Sequence, residues 1–182
     1  RTGARRIHRL AAVFAAGLRA AGIAVRHRHF FDSVRFDAGE RTPALHDILP
    51  GAGYHLRRLD DGGLAAAFDE TVTPEALAQL LSLITGREAD LERLDAEVIA
   101  TGENLPPALL RQDAILSHPV FHRHRTEHGM LRYLKALQNR DLALDHAMIP
   151  LGSCTMKLNP ASAMIPVGWP EFADLHPFAP AD

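Results

Sequence analysis

Asp61-Gly62-Gly63 divides two strand-length stretches, residues 54–60 and 64–70. The glycines supply the positive φ angles of a tight hairpin, so the two stretches are expected to pair as antiparallel strands. Around this hairpin the signals are helical. Over residues 4–21, Ile7, Leu10, Phe14, Leu18 and Ala21 recur at helical spacing. Arg5, Arg9 and Arg19 take other faces, and Gly22 closes the helix. Residues 25–36 mix β-branched, aromatic and polar side chains and are read as a strand. Thr73-Pro74-Glu75 is a helix start, with a capping hydroxyl, a proline at the first position and an acid near the positive end. Leu77, Leu80, Leu81 and Ile84 follow on one face, and Gly86 stops the helix. Helix, strand, hairpin, helix makes a compact α+β unit over residues 1–86.

Beyond it, residues 87–125 read as a connector. A short charged helix fits 89–96, after which Pro106-Pro107 and His118-Pro119 bias their predecessors toward extended backbone. A further helix is predicted over 127–139, capped by Thr126, with Met130, Leu131, Leu134 and Leu137 on one face. The chain then becomes irregular and rich in proline, through Trp169-Pro170 and His176-Pro177-Phe178. So apolar a stretch with so little regular structure is expected to pack on a neighbouring domain or subunit.

The 182 residues suffice for one good core or two small ones, and 47% of them are hydrophobic. No apolar run reaches membrane-spanning length. A net charge of -2, with arginines scattered and not interleaved with aromatics, argues against a nucleic-acid platform. One cysteine allows no internal disulfide and fits a reducing, cytoplasmic compartment. The chain starts at Arg1 without a signal-peptide pattern and reads as a piece of something longer.

The chemistry is concentrated between Met148 and Asn159, where Pro150 and Gly152 interrupt an apolar stretch. There lie the cysteine, Cys154, and Lys157, one of two lysines in the chain. Cys154 has no adjacent base and reads as a thiol lining a cavity. Lys157 lacks both a glycine-rich phosphate cup and an acid to face a pyridinium nitrogen, which favours a structural cation over a catalytic amine. Ser153, Thr155 and Asn159 carry no triad signature. They fit donors to a carboxylate or phosphate, and equally loop-stabilising hydrogen bonds. His118, His122, His124 and His128 invite a metal reading, but Pro119 disrupts the first pair and no cysteine or acid completes a tetrahedral set. No metal is expected. Trp169, Phe172 and Phe178 read as core or interface anchors.

Several blocks together carry a family resemblance. Ser117-His118-Pro119-Val120-Phe121, Met130-Leu131-Arg132-Tyr133-Leu134 and Asp141-Leu142-Ala143-Leu144 run into the stretch from Met148 to Asn159. Trp169-Pro170-Glu171-Phe172 and His176-Pro177-Phe178-Ala179-Pro180 follow. Arg6-Ile7-His8-Arg9-Leu10 and Asp69-Glu70-Thr71 extend the likeness to the first half. The whole resembles glycine decarboxylase, the P-protein of the glycine cleavage system. The sequence departs from the family pattern at Gly129 (usually glutamate), His122 (asparagine), Ala163 (glutamate) and Gly168 (threonine).

The resemblance implies an α/β enzyme of two halves, each like a fold-type I pyridoxal-phosphate transferase. Residues 1–86 would be the small α+β C-terminal domain of the first half. Residues 87–125 would be the connector, and 126–182 an incomplete N-terminal segment of the second half. It further implies decarboxylation of glycine with pyridoxal 5'-phosphate and transfer of the aminomethyl group to the lipoyl arm of H-protein. Other glycine cleavage components and a homodimer of full-length chains are implied as partners, with neither nucleic acid nor membrane. The cofactor lysine of the family lies in a His-Lys pair before a glycine-rich stretch, and no such pair occurs here. No catalytic residue is therefore assigned within the chain, and the piece alone is expected to be inactive. Ser153, Cys154, Thr155 and Asn159 would line the substrate and cofactor pocket. The competing expectation is a non-catalytic α+β assembly or regulatory module whose C-terminal stretch is a docking arm.

Overall fold

The computed structural model describes residues 2–102, 105–143, 146, 148, 160–177 and 179. The chain divides into two compact units, residues 1–111 and 112–182.

The first unit is built from helix α1 (Thr2–Ala20), strands β1 (Ala24–Val25) and β2 (Ser33–Asp37), helix α2 (Thr42–Gly51), strands β3 (Arg57–Arg58) and β4 (Leu64–Ala67), and helices α3 (Pro74–Thr85) and α4 (Leu91–Thr101). The strands form one antiparallel sheet in the order β1-β2-β4-β3. This is a mixed helix-and-sheet unit, as the order of sequence signals predicts.

Local chemistry sets the ends of the helices. At the end of α1, Gly22 takes φ 79°. The Gly22 and Ile23 amides then donate to the carbonyls of Arg19 and Leu18, both at 2.9 Å. That pairing satisfies carbonyls the helix leaves open, and a glycine makes the left-handed step without strain. At α3 the Thr73 hydroxyl accepts from the Ala76 amide at 3.2 Å, and Gly86 closes the helix at φ 70°. For α4, Asp90 accepts from the Arg93 amide at 3.0 Å. This helix runs to Thr101, further than the 89–96 read from sequence.

Two expectations for the first unit are corrected. The strand read over 25–36 is two strands, β1 and β2, which pair with each other in the register Val25↔Phe36. Arg26-His27-Arg28-His29 offers no apolar face to bury, so the chain leaves the sheet there and returns. His8 holds the returning segment: its Nδ1 donates to the Phe31 carbonyl at 2.7 Å, and its ring stacks on Phe31 at 5.5 Å. Helix α2, for which no element was predicted, occupies 42–51 and buries Thr42, Leu45 and Leu49. Pro43 lies in its first turn, as Pro74 does in α3, but Arg41 stands at the cap position and no side chain caps the helix.

The hairpin is present but short. Gly62 alone supplies the positive φ, at 83°, and the Leu59 amide donates to the Gly63 carbonyl at 3.0 Å.

One apolar core joins all of this. Phe14 and Leu18 from α1 meet Val34, Phe36, Leu64 and Ala66 from the sheet, Leu45 and Leu49 from α2, Leu77, Leu81 and Ile84 from α3, and Leu94 from α4. Phe14 is fully buried and meets Phe36 edge-on at 5.7 Å and Phe68 at 5.2 Å. Outside the core, Arg9 and Asp95 tie α1 to α4 through bonds of 2.5 and 2.6 Å. Arg6 donates to the carbonyls of Glu70 and Val72 at 2.9 and 2.5 Å, fixing the start of α1 to the segment before α3.

In the second unit the described elements are α5 (Val120–Arg123), α6 (Glu127–Gln138), α7 (Ala161–Met164) and α8 (Pro170–Ala173), with a tight helical turn at Ile165–Gly168. Thr126 caps α6, accepting from the Gly129 amide at 3.1 Å. Ala143 is the buried side chain among the described residues of this unit. Met130, Leu131, Leu134 and Leu137 are 38 to 57% exposed, and Trp169 and Phe172 more than half exposed.

Candidate functional site

Of the residues that the sequence singles out, Ser153, Cys154, Thr155 and Asn159, with Lys157 beside them, all lie outside the described residues, as does Phe178. The described chain reaches this stretch at Met148, fully exposed, and resumes at Pro160, immediately before α7. The site is therefore built from its chemistry and from what frames it. Two hydroxyls and a carboxamide within seven residues form a donor set suited to carboxylate or phosphate oxygens.

On its N-terminal side stands α6, amphipathic and with its apolar side chains exposed. On its C-terminal side the turns of α7 and α8 present Met164, Ile165, Val167, Trp169 and Phe172, all at least half exposed. The Trp169 and Phe172 rings lie 6.4 Å apart, tilted against each other. In sequence, the polar run is flanked by two segments whose apolar side chains are largely exposed.

The histidines before α6 take up local structural roles. His118 Nδ1 accepts from the Val120 amide at 3.2 Å, starting α5. His122 lies 2.6 Å from the Leu116 carbonyl and 2.9 Å from an Arg125 nitrogen. Leu116 sits at φ 54°, a left-handed conformation costly for a branched side chain, and His122 holds that turn from six residues away. His124 stacks on Tyr133 at 4.1 Å. Among the described residues no three His, Cys, Asp or Glu side chains come together as a metal site.

The first unit has clefts of its own. A small cavity of about 120 Å³ lies among Gly17, Leu81, Thr85, Arg87 and Leu94. A larger one of about 700 Å³ is bounded by Ala12, Ala16, Arg28, Phe30, Val98 and Pro106. Its titratable groups serve the fold. Asp95 is held below the usual carboxylate range by its hydrogen bonds from Arg9 and by the nearby guanidinium charge. Asp69 is lowered by the hydroxyl and amide of Thr71, and Glu75 by its own amide and the Thr73 hydroxyl. None of the described helices is long and apolar enough to cross a membrane.

No family model matches the chain. Individual proteins do. Over 182 residues it is 54% identical to a glycine dehydrogenase (decarboxylating) of Dechloromonas aromatica. It is 51% identical over 179 residues to one of Chromobacterium violaceum, and 48% over 180 residues to one of Deinococcus radiodurans. These matches cover 98 to 100% of the chain and 18 to 19% of the relatives. The chain thus spans about a fifth of the length of the curated relatives it matches.

Proposed function

We propose, for a chain homologous along its whole length to one segment of the glycine dehydrogenases (decarboxylating), that it forms part of a pyridoxal-phosphate-dependent glycine decarboxylase. The observation that carries this is identity of 46 to 54% maintained across at least 98% of the chain, so both units are included. The reaction releases carbon dioxide from glycine and passes the aminomethyl group to the lipoyl arm of H-protein. Pyridoxal 5'-phosphate supplies the electron sink for loss of the carboxylate. The assembly is a homodimer of full-length chains working with the other glycine cleavage components.

Within that enzyme, residues 1–86 are the small domain of the first half, 87–125 a connector whose helix α4 packs into the core of that domain, and 126–182 the opening segment of the second half. The exposed apolar side chains of α6, α7 and α8 are covered by the rest of the protein, which is why they bury so little here. Ser153, Cys154, Thr155 and Asn159 form one wall of the pocket. The hydroxyls and amide donate to carboxylate or phosphate oxygens, orienting the substrate and restricting water around the reacting carbon. The amine that holds the cofactor comes from outside residues 1–182, and this chain alone is inactive.

The test is Thr155→Ala and Asn159→Ala in the full-length polypeptide carrying this segment. A hydrogen bond to a charged group is worth about 1.5–3 kcal/mol, so each change should lower kcat/KM for glycine by about tenfold or more. Unchanged glycine affinity and turnover in both variants would remove the pocket role.

A further inference from the structure

The sheet of the first unit buries one face. Along β2, Val34 and Phe36 point into the core while Ser33, Arg35 and Asp37 lie on the other face, and β4 alternates in the same way, with Leu64 and Ala66 inward. The register places a row across that outer face. Arg35 and Arg57 both pair with Ala65, from opposite sides. The Arg26 amide donates to the Arg35 carbonyl at 2.9 Å, which continues the β1–β2 register and sets Arg26 opposite Arg35. At ordinary strand spacing the row Arg26, Arg35, Ala65, Arg57 is about 14 Å long.

This arrangement works against the stability of the sheet. Like charges directly opposite each other on a sheet are destabilising. Asp61 pairs with Arg35 and offsets one charge. Asp37, the acid on the adjacent row, is turned to the Gly39 amide at 2.8 Å. Arg26 and Arg57 are exposed and have no ion pair among the described residues. Besides Arg35, the side chains on the face at Ser33, Ala65 and Ala67 are small, so a partner can come close to the sheet there.

We propose that this outer sheet face is a docking surface for an acidic protein segment, whose carboxylates are taken by the Arg26 and Arg57 guanidiniums. Guanidinium forks match carboxylates in bidentate fashion, and Arg26 and Arg57 stand at the two ends of the row, with the Arg35–Asp61 pair and Ala65 between them. Sheet surfaces that take single-stranded nucleic acid stack bases on aromatic rings, and this row carries none. The proposal uses the first unit alone and does not depend on the decarboxylase reading.

The experiment titrates the whole 182-residue chain with a fluorescent twelve-residue oligoglutamate, and in parallel with an oligouridylate of equal charge. Arg26→Gln/Arg57→Gln is compared with Arg5→Gln/Arg19→Gln, which removes the same charge from exposed positions of α1. The expected result is salt-sensitive oligoglutamate binding, weakened at least tenfold by the first pair and less than twofold by the second. The first pair should also melt no lower than the parent. No oligoglutamate binding, equal loss in both pairs, or tighter binding of the oligouridylate through the same arginines overturns the proposal. So does a marked fall in melting temperature of the first pair, which would make the row structural.

Discussion

Gly17→Ala puts the packing of the first unit to a direct test. Gly17 lies in the interior of α1, where alanine normally gains about 0.8–1.0 kcal/mol over glycine. Here a Cβ would stand 2.9 Å from both δ-carbons of Leu81 and 3.2 Å from Leu94 Cδ1. Carbon atoms in contact prefer about 3.5–4.0 Å. Leu81 and Leu94 are 1 and 2% exposed, so they yield only by moving within the core. Overpacking of this kind costs about 1–3 kcal/mol. The adjacent cavity of about 120 Å³ gives the leucines some room and favours the lower part of that range. The net expectation is a loss of about 0–2 kcal/mol, where an uncrowded helix would gain nearly 1. Leu81→Val removes a methylene from the crowded side chain. In that background Gly17→Ala should become less costly by about 1 kcal/mol, a coupling that urea unfolding followed by far-UV circular dichroism can read from the four corners of the cycle. Stabilisation of the parent by Gly17→Ala, or strict additivity with Leu81→Val, would refute the close approach of α1 to α3 and α4.

The capping and charge readings give two further expectations. Thr73→Ala removes the hydroxyl that accepts from the Ala76 amide and should cost about 1 kcal/mol, seen as a lower urea midpoint with unchanged slope, whereas Thr73→Ser should cost much less. Asp95 has its folded pKa depressed by Arg9, so its contribution is fully present above the ordinary aspartate value of 3.8 and is lost as pH falls through the folded value. Both side chains are well over a third exposed, so solvent screening keeps the effect small. Asp95→Asn should lower stability at pH 6 and leave it nearly unchanged near pH 2, and an equal difference at both pH values would contradict the ion pair.

What the sequence disclosed was mostly local. Thr73-Pro74-Glu75 with Gly86, Thr126, and Gly22 each mark an end whose hydrogen bonds involve residues within one turn, so they can be read without knowing the fold. Over residues 25–36 strand composition does not show where the chain leaves the sheet, because the Arg26–His29 run that forces the exit is polar in the way edge strands are. Helix α2 carries its signal in the Leu45–Leu49 spacing, between Pro43 in the first turn, where proline is tolerated, and Pro50 near its end. The tight approach at Gly17 and the arginine row across the sheet depend on contacts distant in sequence, which no local pattern encodes. For the pocket the reverse holds. Ser153, Thr155 and Asn159 are legible as donors from their types and from the family resemblance, and their geometry lies outside the described residues.

The central claim is that this chain shapes the pocket of a glycine decarboxylase and does not carry the amine that holds its cofactor. The most direct measurement is borohydride reduction of the full-length holoenzyme, followed by peptide mapping of the labelled lysine by mass spectrometry. The chain offers two lysines, Lys135 and Lys157. The account predicts that the reduced adduct maps to a lysine outside residues 1–182, and an adduct on Lys157 would contradict it.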